Sequence, residues 1–372
     1  MTRLACVVGA GLAGTFAVKT LLEGGWTVRW IELSSQVAPR ASGNPAGIFK
    51  PILTPTATLP SQLSFLAFDE LVKCLEEWEG QGLAIPHSRR GLLQVALTED
   101  EEGRFRRSLL DRQISNLIAE FRDSKWVSEK IGVPQARGGV WFPQGGWIDP
   151  GALCRTLFDS LKARYASSGQ LELRFGSSFQ QGDLEGTDSV VFCTAEASRS
   201  LVEFQALKTQ VIRGQLSVLK LGDAVSQTDF PVSFHEYWIP TGDGHVVVGA
   251  THDRDDEGTD ARLEDHRRLL ERVGSYLPEA WKDLSEVRTP ESMRGGLRFT
   301  RASHLPVVGA LPETSRAMDV SAYAFTALGS RGILLAPLLS RQLLSLIEPG
   351  RAVLPEALGQ ALSPFQSLLQ KG

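Results

Sequence analysis

The chain has 372 residues, 42% hydrophobic and 22% charged, the balance of a globular protein long enough for about two domains. A net charge of −4 excludes a broad basic field, so contact with nucleic acid has to rest on a local patch. No uncharged stretch reaches the ~20 residues of a membrane span, and neither the four cysteines nor the six histidines show metal-ligand spacing, so no membrane and no metal partner is expected.

Leu4–Val8 is an apolar run that predicts a buried parallel strand. It leads straight into Gly9-Ala10-Gly11-Leu12-Ala13-Gly14, so it does not read as a cleaved leader, and a cytoplasmic protein with reduced cysteines is expected. Gly9 permits the tight turn, Gly11 lets backbone approach a pyrophosphate, and Gly14 lets helix and strand pack closely. Ala13, Phe16, Ala17, Thr20 and Leu21 then follow helical spacing, and Gly24-Gly25 stops the helix. A second strand over 26–33 carries Glu32 near the offset expected of a ribose-binding acid. Strand, glycine loop, helix and strand predict a βαβ dinucleotide site, without separating NAD from FAD.

The stretch 41–60 is too long for a simple connection. Within it, Ala41-Ser42-Gly43-Asn44-Pro45-Ala46-Gly47-Ile48-Phe49-Lys50-Pro51 is rich in small residues that let backbone pass a flat ligand, although alone it reads as a surface loop. A strand is predicted over 91–97, and Thr98-Glu99-Asp100-Glu101 is a capping box opening a charged helix to about Phe121. Trp141-Phe142-Pro143-Gln144-Gly145-Gly146-Trp147 suggests either a wall for a planar substrate or aromatic core packing. Asp149-Pro150 predicts a cap and first turn for a helix buried through Leu153, Leu157 and Leu161.

Strands are predicted over Leu171–Phe175 and 189–193, an antiparallel sheet over 213–251, and a charged helix over 261–276. Arg294 and Gly295-Gly296 precede Arg298 and Arg301, either of which can clamp a carboxylate through its planar fork or stand solvated at the surface. Gly329-Ser330-Arg331-Gly332 opens an apolar helix over 333–347 whose N-terminus can stabilise negative charge on a bound ring. Pro337 predicts that this helix starts late. The expected fold is α/β, α+β overall. A Rossmann-like nucleotide domain with a central parallel sheet is expected from 1–85, 140–212 and 295–372. A substrate domain with an antiparallel sheet is expected from 86–139 and 213–294.

Taken in this order, the features resemble the FAD-dependent oxidoreductases of the D-amino-acid oxidase superfamily over nearly the whole chain. The segments 41–51 and 142–147, Arg213-Gly214-Gln215, and Gly329-Ser330-Arg331-Gly332 with Ala336-Pro337 look like the FAD half of the bifunctional MnmC tRNA wobble-uridine enzymes. The resemblance implies FAD bound through Gly9, Gly11, Leu12, Ala13, Gly14, Glu32, Ala41, Ser42, Gly43, Asn44, Gly47, Thr194, Gly329, Ser330, Arg331 and Gly332. It implies oxidative conversion of 5-carboxymethylaminomethyl-uridine in tRNA to 5-aminomethyl-uridine. Arg298 or Arg301 would hold the carboxylate, and Lys50 would act at the flavin edge or on oxygen.

At Thr194-Ala195-Glu196 the superfamily usually has a glycine, so the path of that loop is open. The methyltransferase half of the bifunctional enzymes has no counterpart here, so methyl transfer would need a separate protein. Arg89-Arg90, Arg104-Arg106-Arg107 and Arg267-Arg268 are the candidate tRNA contacts, each also readable as a solvated face. Alternatives are an oxidase or dehydrogenase of free glycine, sarcosine or D-amino acids, and a nucleotide- or tRNA-binding module without catalysis.

Overall fold

The computed structural model describes residues 3–200, 204, 207–221, 228–277, 289–312, 320–350 and 352–364. A six-stranded sheet runs in the order Val307–Ala310, Ser321–Thr326, Ser189–Phe192, Leu4–Val8, Thr27–Glu32, Leu171–Phe175. Every neighbouring pair is parallel except the first. Strand Leu4–Val8 explains its own apolar run. Ala5 and Val7 enter one core cluster, while Cys6 and Val8 enter another across the sheet. A strand buried on both faces has no polar alternation. The first cluster is closed by helices Leu12–Glu23, Leu59–Gly80, Pro150–Tyr165 and Gly332–Ile347.

A nine-stranded, mostly antiparallel sheet forms the second layer. Its longest members, Thr209–Lys220 and Ser292–Arg301, pair from Thr209↔Arg301 to Val218↔Ser292. Helix Leu263–Tyr276 packs Leu269, Leu270 and Val273 against this sheet. A small sheet of Gly47–Phe49, Gly146–Ile148 and His87–Ser88 sits between the two layers in the chain path. The mixed α/β class is therefore as expected.

Several local readings change. The capping-box helix spans Glu99–Asp111 and stops short of Phe121, because Gln113 turns left-handed (φ 48°) and Glu120–Arg122 is a strand. Helix Leu59–Gly80 was not foreseen. Thr58 caps it, its hydroxyl accepting from the Ser61 N–H at 3.3 Å, and Pro60 lies in its first turn. The C-terminal helix does not start late. It begins at Gly332 and carries Pro337 inside, buried among neighbours that hold the turn despite the missing N–H. Gly139–Phe142 and Ser292–Arg301 belong to the antiparallel sheet, so the expected segment limits at 140 and 295 fall inside strands. Among the described residues no helix is long and apolar enough to cross a membrane.

Candidate active site

The glycine loop is built by sterics. Gly9 has φ 106°, and its N–H donates to the Ile31 carbonyl at 2.8 Å, which ties the first strand to the second. A Cβ on Gly14 would lie 1.8 Å from the Gly9 carbonyl oxygen, so only glycine lets the helix pack on the loop. Glu32 closes the loop: its carboxylate accepts from the Ala10 N–H at 2.7 Å and the Ser34 N–H at 2.9 Å. The helix begun at Leu12 has no acidic residue in its first turn, and the Ser42 hydroxyl accepts from the Leu12 N–H at 3.0 Å. That positive helix end is a phosphate site in waiting.

A cavity of about 390 Å³ opens beyond the carboxyl ends of the parallel strands, where ligands of such sheets sit. Gly11, Leu12, Ala13, Ala41, Ser42, Asn44, Gly47, Lys50, Arg298, Gly329, Ser330, Arg331 and Gly332 line it, as do Tyr237, Gly214 and Gly296. Gly9, Gly14, Glu32, Gly43, Thr194 and Arg301 do not. Gly9, Gly14 and Glu32 shape the loop from behind, as described above. A Cβ on Gly43 would meet Ala38 O at 2.4 Å and Arg294 Nη2 at 2.6 Å. Arg294 donates to Pro39 O at 2.8 Å and Arg40 O at 2.6 Å, pinning the small-residue loop to the antiparallel sheet. Thr194 turns to the Ser198 hydroxyl at 2.8 Å, while its neighbours Cys193 and Ala195 reach the cavity. Ala195 takes φ 47°, so this turn is made by a residue with a Cβ, at a cost of about 1–2 kcal/mol.

Arg298 and Arg301 separate cleanly. Residues three apart on a strand point to opposite faces. Arg298 faces the cavity; its Nη1 donates to Thr251 O at 3.0 Å, and a Cβ on Gly214 would lie 2.1 Å from that nitrogen. Gly214 is thus the gap that admits the guanidinium. Arg301 instead donates to Ala361 O at 3.2 Å on the far side, so its role as a carboxylate clamp is withdrawn. Tyr237, which sequence reading missed, joins Arg298 from strand Tyr237–Pro240. Burial pushes its phenol up and the Arg298 charge pulls it back; burial in turn lowers Arg298. Nothing local marks Tyr237, because its hairpin with 245–249 reaches the Arg298 strand only through the long-range pairings of Thr209–Lys220.

Lys50 follows strand Gly47–Phe49 and lies 5.2 Å from the Phe142 ring centroid. It makes no ion pair with a described residue, and burial pushes its ammonium down to about 8. Arg331, at the start of helix Gly332–Ile347, donates to His304 O and is likewise lowered by burial. Among the described residues lining the cavity, Lys50, Arg298 and Arg331 bear charge and no carboxylate faces them. Such a site accepts anions and repels cations.

The aromatic stretch packs core. Trp141 meets Phe230 edge-on at 5.0 Å, Phe142 is fully buried, and Trp147 packs with Ala46, Leu216 and Ile239. Arg213 and Gln215 point away from the cavity into a buried polar knot, where Arg213 reaches Asp265 at 2.5 Å and the Asp260 carbonyl at 2.7 Å. Of the basic clusters, Arg89, Arg90, Arg104, Arg106 and Arg268 are all ion-paired. Among the described residues no group of three or more His, Cys, Asp or Glu could hold a metal.

Known proteins bear on this geometry. The chain is 30% identical to the tRNA 5-methylaminomethyl-2-thiouridine biosynthesis bifunctional protein MnmC of Paraburkholderia phytofirmans, over 99% of this chain and 60% of that protein. The corresponding protein of Paraburkholderia xenovorans is 29% identical over the same shares. The chain thus spans about 60% of the length of these curated relatives. Glycine oxidase of Bacillus cereus superposes with a TM-score of 0.72 at 22% identity, covering 95% of this chain and all of that one. Glycine oxidase of Geobacillus kaustophilus gives 0.77 at 19%, covering 97% and 98%. At such identities the solved structures speak for the fold alone. The model of the FAD dependent oxidoreductase family, DAO, matches residues 5–346, and with a glycine loop, acid and cavity that suit a dinucleotide, the chain belongs to that family of FAD-dependent enzymes.

Proposed function

We propose that the chain oxidatively cleaves a C–N bond in a carboxylate-bearing secondary amine, and that this amine is the 5-carboxymethylaminomethyl group of a tRNA wobble uridine, converted to 5-aminomethyl. The observation that carries the reading is a cavity lined by cations without a carboxylate, in a chain similar to MnmC proteins along 99% of its length. FAD would be held by the 9–14 loop, Glu32 and Ser42 at the nucleotide end and by residues 44–50 and 329–332 toward the ring. The glycine positions that a Cβ would fill, and the helix end without an acidic residue, fit such a group. When bound, FAD would supply two-electron acceptor chemistry for oxidation at the carbon between amine and carboxylate.

The protein's own residues supply orientation and charge. Arg298 retains N–H groups beyond the one given to Thr251, and these bind the substrate carboxylate. Tyr237 adds a neutral hydroxyl donor beside it. The amine must be uncharged to lose a hydride, and a cationic cavity favours that form. Water then splits the imine. A separate methyltransferase would act on the product, and both steps would belong to the cytoplasm.

A second reading, oxidation of a free amino acid such as glycine or sarcosine, is favoured by the pairing of Arg89, Arg104, Arg106 and Arg268 with acids, which leaves them less available to phosphates. The test is to incubate holoenzyme with modified tRNA and, separately, with glycine, sarcosine and D-alanine. Loss of the carboxymethyl group from tRNA supports the first reading. Turnover of free amino acids alone overturns it.

A further inference from the structure

We propose that Lys50, in its uncharged form, is the base that takes the proton from the substrate ammonium as the amine enters the cavity. The proposal rests on the amine-oxidation reading and adds the residue that readies the amine. Substrate amines arrive protonated, and the described residues lining this cavity offer them no carboxylate. The proton therefore has to leave the nitrogen, and some group has to accept it.

Arg298 and Arg331 are permanent cations and accept nothing. Tyr237 and Cys193 also line the cavity, but burial pushes both up, so each is a neutral donor rather than a base. From helix Leu59–Gly80, Ser61 and Ser64 are engaged with the Ile52 backbone, and Arg112 donates to Ser61 at 2.5 Å. Lys50 remains. It has no ion pair to hold its proton, an apolar ring beneath it, and an ammonium lowered by burial to about 8. Near neutral pH it exchanges protons readily.

The step balances without an oxidant. The Nζ lone pair forms an N–H bond as the substrate N–H bond breaks. The amine keeps its electron pair, and Lys50 becomes an ammonium that later returns the proton to water.

The test compares holoenzyme with Lys50→Arg and Lys50→Met, using whichever carboxylate-bearing secondary amine the wild type oxidises, and follows kcat/KM against pH together with bound flavin. Wild type should rise through about 8 and then stay level, since an amine that arrives already deprotonated needs no base. Both variants should lose about a hundredfold near neutrality. Both should instead rise only through the amine's own more alkaline titration, above the wild-type midpoint. A thioether acid of the same shape, with no proton to lose, should bind wild type and Lys50→Arg alike. If Lys50→Arg keeps the wild-type rate and profile, Lys50 supplies only positive charge and the proposal is overturned; the arginine variant decides even where the methionine variant fails to fold. If wild type oxidises no such amine, the amine-oxidation reading falls and the base falls with it. If wild type turns over while the variants keep its profile, only the base falls.

Discussion

Arg298 and Arg301 are alike in composition and three positions apart, yet one lines the cavity and the other reaches the Ala361 carbonyl behind it. Strand alternation forces that division, and it was readable once 292–301 was known to be a strand. Arg298→Met should raise KM for a carboxylate substrate about ten- to a hundredfold, the worth of one or two hydrogen bonds to a charged group, with flavin content unchanged. Steady-state kinetics on substrate with and without its carboxylate checks this; an unchanged KM would contradict it. The glycine loop was fully legible, because its sterics are local. Gly14→Ala sets a carbon 1.8 Å from the Gly9 carbonyl oxygen and should abolish flavin binding, read as loss of the bound flavin spectrum. Tyr237 was not legible: its hairpin comes near Arg298 only because strand Thr209–Lys220 pairs with both 245–249 and 292–301.

At the scale of elements, caps were legible and long-range packing was not. Asp149 accepts from the Ala152 N–H at 2.7 Å ahead of Pro150, as its sequence position predicts. Asp149→Ala should cost about 1 kcal/mol in denaturant unfolding. The signal for helix Leu59–Gly80 was also present in Thr58 and Pro60, followed by Leu63, Ala67, Leu71 and Leu75. It was hidden because 41–60 read as one irregular stretch. The buried knot around Arg213 had no sequence signature, since Asp265 lies on a distant helix. Asp265→Ala leaves a fully buried guanidinium without its nearest carboxylate and should cost about 3–5 kcal/mol. A loss under about 1 kcal/mol would mean that Asp253 and Asp256 already suffice.

At the scale of the molecule, the parallel sheet carries the glycine loop at one end of the cavity and the antiparallel sheet carries Arg298 and Tyr237. The cavity forms where residues 41–52 and 325–334 meet strand Ser292–Arg301. The division into two sheet types was legible from alternating and continuous apolar runs. The expected limits at 140 and 295 fall inside strands Gly139–Phe142 and Ser292–Arg301, which belong wholly to the antiparallel sheet. Joining the layers brings Lys50, Arg298 and Arg331 to one cavity, and on the proposed reading an amine bearing a carboxylate should be oxidised well, and the same amine without it poorly. The most direct measurement is nucleoside mass spectrometry of wobble-modified tRNA after incubation with the FAD-loaded protein. The account predicts disappearance of 5-carboxymethylaminomethyl-uridine with matching appearance of 5-aminomethyl-uridine. Unchanged tRNA beside rapid oxidation of glycine or sarcosine would contradict it.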